Sequence, residues 1–289
     1  MKIKLTPGEG ISAERTRIAG VPCLVLTPSG RPKANAAVIW IHGGGYILGM
    51  KEMVYMSRAA DLARRFGVTV ISPGCRLAWL HPYPAALDDC VAVLRAVDAE
   101  RERYGAVHIA VGGESAGGGL AAAVCMAARG AGIKVDLQMP LYPMISDIDT
   151  ESSRDNHGRI WNTRRNHLAW RVYLRRLKGR DIPPYAAPLR QTDFFGLPPC
   201  VTFVGDGEPF LCETKEYVRR LREAGVRAEI MIYRTNVHAF DMLYPDNDVS
   251  VSAKKWFEER FADMAEGWLG APADGGEDAF AGAVDNLLK

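Results

Sequence analysis

Ser115 lies in the run Gly112-Gly-Glu-Ser-Ala-Gly-Gly-Gly119. The stretch before it, Val107-His-Ile-Ala-Val111, is short and apolar and predicts a buried strand, while the alanine-rich Leu120–Arg129 after it predicts a helix. A serine flanked by glycines between a strand and a helix is the context of a nucleophile elbow, a sharp turn that lifts the hydroxyl above the sheet edge. Gly113 and Gly117 remove side chains that would clash in such a turn. The helix start adds unpaired N–H groups and the positive end of its dipole, which favour a developing oxyanion. A phosphate cradle is the other chemistry of a glycine-rich turn. This run lacks the Lys-Ser/Thr that closes such a cradle.

Two further stretches complement Ser115. His42-Gly-Gly-Gly-Tyr46 follows the apolar run Ala36–Ile41. Its glycines let the backbone approach a substrate, so the N–H groups of Gly43, Gly44 and Gly45, with that of Ala116, are the candidate oxyanion donors. His42 is expected to fix this loop rather than to react. His238, in Thr235-Asn-Val-His-Ala-Phe240, follows the last strand expected, where a general base belongs. His108 falls inside a strand, His81 precedes Pro82, and His157 and His167 lie in a different segment. An acid is expected after the run Val201–Val204, and Asp206, Glu208 and Glu213 all qualify by position.

The elements that must carry these groups alternate. Extended runs at 15–27 suggest an edge hairpin. Strands are expected at Ala36–Ile41, Val68–Ser72, Val107–Val111, Val135–Leu141, Cys200–Val204 and Ala228–Tyr233. Helices are expected at Met53–Phe66, from Tyr83 through Val97, after Ser115, and at Glu213–Ala224. Strands alternating with helices predict an α/β fold with one doubly wound, mostly parallel sheet.

Residues 146–196 interrupt the alternation. Nine Arg/Lys against one Asp fall between 154 and 180, interleaved with Trp161, Trp170 and Tyr173. Such a mixture can bind nucleic acid. Trp170, Leu174 and Leu177 share one helical face, however, which reads as a solvated basic side opposite an apolar one. No nucleic-acid partner is expected, and the insertion is read as a cap over the carboxyl edge of the sheet. Residues 1–265 are expected to form one domain, followed by a link and a C-terminal helix over 266–289. Phe280, Val284, Leu287 and Leu288 lie on one face of that helix, which either docks on its own chain or contacts another subunit of a homo-oligomer.

Composition narrows the class without choosing a function. The 289 residues are 48% hydrophobic and 24% charged with a formal charge of +2, ordinary for a globular protein and pointing to no charged partner. No apolar run approaches the length of a membrane span. Met1–Glu9 lacks the apolar core of a signal peptide, so a cytoplasmic location is expected. The six Cys occur singly without a Cys-x-x-Cys pair, arguing against zinc or redox sites.

Taken together, the motifs resemble the hormone-sensitive-lipase-like branch of the α/β-hydrolases, the bacterial family of small carboxylesterases. The matches are His42–Tyr46, Arg76-Leu-Ala78 with His81–Asp89, Gly113–Gly119, Tyr185-Ala-Ala-Pro-Leu189 and His238-Ala-Phe240. The resemblance implies a serine esterase acting on short-acyl esters, needing no cofactor or metal. The order Ser115, acid, His238 is that of the superfamily. Its register sets Glu208-Pro-Phe210 on the family's Asp-Pro-Leu, so the resemblance selects Glu208 over Asp206.

The chain also departs from the family pattern. Cys75-Arg-Leu-Ala-Trp-Leu80 stands where Tyr-Arg-Leu-Ala-Pro-Glu is usual, and only about 35 residues precede the first core strand, fewer than the family's N-terminal cap helices need. The reduced cap and Gly43–Gly45 predict an open site with room beside the loop. The rival readings are a receptor that keeps the fold without turnover, which has no need of a general base, and an amidase or peptidase, which the same residues do not distinguish.

Overall fold

The computed structural model describes residues 6–29 and 34–268. The expected link and C-terminal helix at 277–289 lie outside the described residues. An edge hairpin pairs β1 (Ile11–Ile18) with β2 (Val21–Pro28) antiparallel. The alternating core follows: β3 (Ala36–Ile41), α1 (Arg58–Phe66), β4 (Thr69–Pro73), α2 (Ala85–Ala99), the single turn α3 (Arg101–Tyr104), β5 (His108–Glu114), α4 (Ala116–Gly130) and β6 (Leu137–Leu141). After the insertion come α5 (Thr163–Tyr173), β7 (Cys200–Gly205), α6 (Leu211–Glu223), β8 (Ala228–Tyr233), the short α7 (Phe240–Leu243) and α8 (Asp248–Met264).

These strands form one eight-stranded sheet in the order β1-β2-β4-β3-β5-β6-β7-β8. It is parallel from β4 through β8, with the two N-terminal strands antiparallel at one edge. The central strands are apolar on both faces because both are covered. In β3, Ala37, Ile39 and Ile41 face the layer built by α2 and α4, while Ala36, Val38 and Trp40 face α1 and α8. Full burial of each larger side chain contributes roughly 1.5–3 kcal/mol.

The chain runs from β3 outward to β4 and then returns to place β5 on the other side of β3. The β3/β5 pair is therefore the point where strand order reverses, and the crevice at its carboxyl end is where open α/β sheets bind ligands. Ile41 pairs with Gly113 at that end, so the loop starting at His42 and the turn at Ser115 leave the sheet side by side.

Local structure departs from the sequence expectation in three places. The helix expected over Met53–Phe66 divides into a 3-10 turn (Lys51–Met56) and α1, because the Ser57 hydroxyl accepts the Ala59 N–H (3.1 Å) and restarts the helix as its N-cap. Helix α5 ends at Tyr173, so Leu174 and Leu177 fall beyond it. Its buried stripe is Asn166, Ala169, Trp170 and Tyr173. The third departure is α8, absent from the sequence expectation; its Ala253, Phe257 and Phe261 complete the second layer.

Candidate active site

The turn at Ser115 is built by contacts that exclude side chains. Ser115 adopts φ 57° and ψ −119°, a backbone conformation that costs energy for any residue with a Cβ. A Cβ on Gly117 would lie 2.1 Å from the Ile41 carbonyl oxygen, and one on Gly113 2.4 Å from the same atom. The backbone of the turn thus packs directly on the end of β3. Ser115 N–H donates to the Leu141 carbonyl (3.0 Å), tying the turn to β6 as well. Ala116 opens α4, so its N–H is among those no helical carbonyl accepts.

The Gly43–Gly45 loop meets this turn. A Cβ on Gly43 would sit 3.5 Å from Ser115 Cβ. His42 Nδ1 donates to the Gly43 carbonyl (2.8 Å), which fixes the peptide planes at the start of the loop, as expected of that residue. Its Nε2 faces Cys75 Sγ at 3.6 Å. Beyond the glycines, Tyr46 stacks on Tyr173 (ring centroids 4.0 Å) and donates to the Met144 carbonyl (2.6 Å). The loop is therefore anchored at both ends, with Gly43 against Ser115.

The other half of the site comes from β7 and β8. Ser115 Oγ donates to His238 Nε2 (2.9 Å), and His238 Nδ1 donates to Glu208 Oε2 (2.5 Å). The second Glu208 oxygen accepts the Gly205 N–H (2.8 Å). Ser115 and His238 are each 5% exposed and Glu208 is fully buried. Burial pushes the Glu208 carboxyl above its usual range, and the bonds from His238 and Gly205 oppose that shift. Tyr142 and Phe210 pack edge-on against the imidazole, with centroids 5.2 and 5.1 Å away.

The two other acids do different work. Asp206 is exposed, and its Oδ1 accepts the Thr235 N–H (2.9 Å), holding the turn between β7 and the His238 loop. Glu213 is buried and accepts the N–H groups of Ile145 (2.6 Å) and Ser146 (3.2 Å), tying α6 to the start of the insertion. Behind the site lies a buried polar group that no sequence motif announced. Tyr142 Oη donates to Asp241 Oδ1 (2.8 Å), and Arg58 spans Asp241 and Asp61 at 3.2 Å each. Beside it, Trp40 Nε1 donates to Glu114 (2.7 Å). Burial, and then the charge on Asp241, push the Glu114 carboxyl up to about 8, against the bond from Trp40. In the sequence this cluster shows only as Glu114 inside the Gly113–Gly119 motif and Asp241 three residues past His238.

Comparison with known proteins bears on the whole chain. The model of a family described as having the alpha/beta hydrolase fold matches residues 38–242. This chain belongs to the α/β-hydrolase family. Within it, the resemblance to the hormone-sensitive-lipase-like branch holds. The chain is 30% identical over 234 residues to the carboxylic ester hydrolase LipN of Mycobacterium tuberculosis, covering 78% of this chain and 62% of that protein. It therefore spans less than two thirds of LipN. It is 31% identical over 231 residues to the carboxylesterase NlhH of the same species, covering 77% of this chain and 72% of that one. The crystal structure of esterase LipW from Mycobacterium marinum superposes with a TM-score of 0.80 at 32% identity, covering 88% of this chain and 82% of LipW.

The segment in which this α/β-hydrolase departs from its family's pattern is held by bonds of its own. Arg76 reaches both Asp89 oxygens, with Nη2 2.7 Å from Oδ1 and Nε 2.9 Å from Oδ2, and Ala78 N–H donates to the Tyr46 carbonyl (2.9 Å). The expected room beside the glycine loop is absent at Gly45, where the Trp161 indole from the insertion lies against the backbone. Among the described residues no helix is long and apolar enough to cross a membrane.

Proposed function

We propose that this chain is a serine carboxylic ester hydrolase using Ser115, His238 and Glu208, with Gly43, Gly44, Gly45 and Ala116 supplying the oxyanion donors. One observation carries the reading: the continuous line of hydrogen bonds from Ser115 Oγ through His238 to Glu208. The names of LipN and NlhH, an ester hydrolase and a carboxylesterase, agree with it.

In this mechanism His238 Nε2 takes the Ser115 proton as Oγ attacks the ester carbonyl. Charge passes to the carbonyl oxygen, which the loop N–H groups and that of Ala116 hold. Glu208 keeps Nδ1 protonated and stabilises the imidazolium. The tetrahedral intermediate collapses, His238 returns the proton to the departing alkoxide, and an acyl-Ser115 ester remains. Water, deprotonated by His238, then attacks the acyl carbonyl and releases the acid with Ser115 restored. Asp206 has no part in this chemistry. Residues 146–196 serve as the reduced cap of a single domain, and the preferred substrates are small esters with short acyl groups.

Release of p-nitrophenol from p-nitrophenyl acetate tests the reading. Turnover should occur without added cofactor, and a fluorophosphonate should block it by labelling Ser115. Undiminished turnover after complete labelling of Ser115, or labelling at another serine that abolishes it, would overturn the assignment.

A further inference from the structure

The glycine loop is held by two side chains that the proposed mechanism does not use. Gly44 is fixed on one side by its own turn, where its carbonyl accepts the N–H groups of Ile47 (3.1 Å) and Leu48 (2.9 Å). On the other side, the Gly43 carbonyl accepts from His42 Nδ1 (2.8 Å). That carbonyl and the Gly44 N–H share one planar trans peptide and point in opposite directions. Fixing the carbonyl therefore fixes where the Gly44 N–H points. The bond is also enclosed, since a Cβ on Gly49 would lie 2.3 Å from the Gly43 oxygen and 2.4 Å from His42 Nδ1.

A carbonyl only accepts, so this bond exists only while His42 Nδ1 carries a hydrogen. With the hydrogen on Nε2 alone, two lone pairs would face each other across 2.8 Å. The partner of Nε2 decides which tautomer is held. That partner is Cys75 Sγ, at 3.6 Å, and both residues are buried. A thiol donates to Nε2 and leaves the hydrogen on Nδ1. A thiolate accepts from the doubly protonated ring, which keeps that hydrogen as well. The hydrogen bond with Cys90, and then His42 itself, hold the Cys75 thiol well below its usual range against the effect of burial. The shared proton thus lies toward His42, and Gly43 is held in either state.

The backbone places Cys75 for this contact. Gly74 N–H donates to the Pro22 carbonyl (2.7 Å), and Arg76 N–H donates to Asp89 Oδ2 (2.9 Å), so the chain is pinned on both sides of the thiol. Cys75 also stands where the family pattern has Tyr, so the pairing of thiol and imidazole is this chain's own.

We infer that Cys75 is a positioning residue for ester hydrolysis, holding the Gly43–Gly44 peptide through His42 so that the Gly44 N–H meets the oxyanion. This deepens the ester-hydrolase reading and rests on it. Acylation and deacylation both pass through an oxyanion, so the effect belongs in kcat rather than in KM.

The test measures kcat and KM for p-nitrophenyl acetate in wild type, Cys75→Ala, Cys75→Val, Cys75→Ser and Cys125→Ala. A trifluoromethyl ketone, whose adduct with Ser115 places an oxyanion at the same point, is titrated as an inhibitor of each. Cys75→Ala and Cys75→Val remove the partner of Nε2. They should lower kcat by about 10- to 100-fold, somewhat less than the loss of an oxyanion donor outright. KM should stay near wild type and the ketone should weaken in step with kcat. Cys75→Ser supplies a hydroxyl that can donate to Nε2 and should recover most of the lost rate. Cys125→Ala truncates another buried thiol, on α4, and should leave kcat unchanged, which separates positioning from lost packing.

Full kcat in Cys75→Ala or Cys75→Val would overturn the inference. So would an equal loss in Cys75→Ser or in Cys125→Ala, or a change confined to KM. If Cys75→Ala fails to fold, Cys75→Val, which fills the space, decides. Full turnover by Cys75→Val beside an inactive Ser115→Ala would leave the hydrolase reading standing and remove this one alone. Absence of any turnover by wild type would remove both.

Discussion

The site is assembled from two unlike parts of one sheet. At the centre, β3 and β5 end in backbone packed on backbone, where the carbonyl of Ile41 fills the space that a Cβ on Gly113 or Gly117 would need. Toward the edge, β7 and β8 end in side chains that reach across gaps, and β8 itself is only partly buried. The centre sets where a nucleophile and its oxyanion can be, through glycines and a strained turn. The edge sets which acid and which base meet it, through side-chain length and loop conformation. Errors at the centre should therefore disrupt structure and chemistry together, whereas errors at the edge should separate them.

The largest effect belongs to the one central group whose removal leaves backbone packing untouched. Ser115→Ala should lower kcat by about 10⁴–10⁶ with a melting curve near that of wild type. Retention of a tenth of the activity would break the assignment. At the edge, Glu208→Gln keeps the shape of the acid and removes its charge. It should cost on the order of 10⁴ in kcat, while Asp206→Asn, which alters only a turn bond to Thr235, should leave turnover close to wild type. A reversed pair of results would move the acid two residues along the chain.

Stability should separate the regions in the same way. Gly117→Ala places a methyl 2.1 Å from the Ile41 oxygen and 2.5 Å from that of His42, so urea denaturation should register a loss of about 3 kcal/mol or more. Gly225, which ends the turn after α6 at φ 76° with nothing within 4 Å of its would-be Cβ, should lose only about 1–2 kcal/mol on change to Ala, the cost of the left-handed backbone. Equal losses would show that the tight packing at the centre is not the distinguishing factor.

The smallest effect is a slope. Glu114 beside Ser115 has its carboxyl raised to about 8. Between its ordinary value near 4.5 and about 8, the folded protein holds a proton that the unfolded chain has released. Stability contributed by this group is thus present at low pH and is lost as pH rises through that window, at up to about 1.4 kcal/mol per pH unit. Glu114→Gln cannot titrate and should flatten the decline of unfolding free energy between pH 5 and 8. Asp241 and Glu208, whose carboxyls are also raised by burial, will keep part of the slope. An unchanged slope would mean that Glu114 does not hold its proton through this range in the folded protein.

Much of this was legible from residue order because the decisive constraints are local. The glycines around Ser115 mark a turn that other residues cannot enter, the run Ala36–Ile41 requires two covered faces, and each glycine motif directly follows its strand. The strand set and the parallel core of the sheet follow from those periodicities, and the family pattern carried the register that favours Glu208.

What the chain order left open was decided by contacts between distant residues. Asp206, Glu208 and Glu213 are equivalent by position. Only the packing of the β7 loop against the His238 loop turns one toward the imidazole, one toward Thr235 N–H and one toward the insertion. The Arg58–Asp241–Tyr142 group joins three elements with no shared motif. Trp161 reaches Gly45 across 116 positions (161 − 45), and no periodicity encodes that meeting. Spacing within an element is set by backbone geometry and can be read along the chain. Whether a side chain from an irregular segment fills or leaves open a neighbouring space depends on the whole set of surfaces around it, which exists only in the folded molecule.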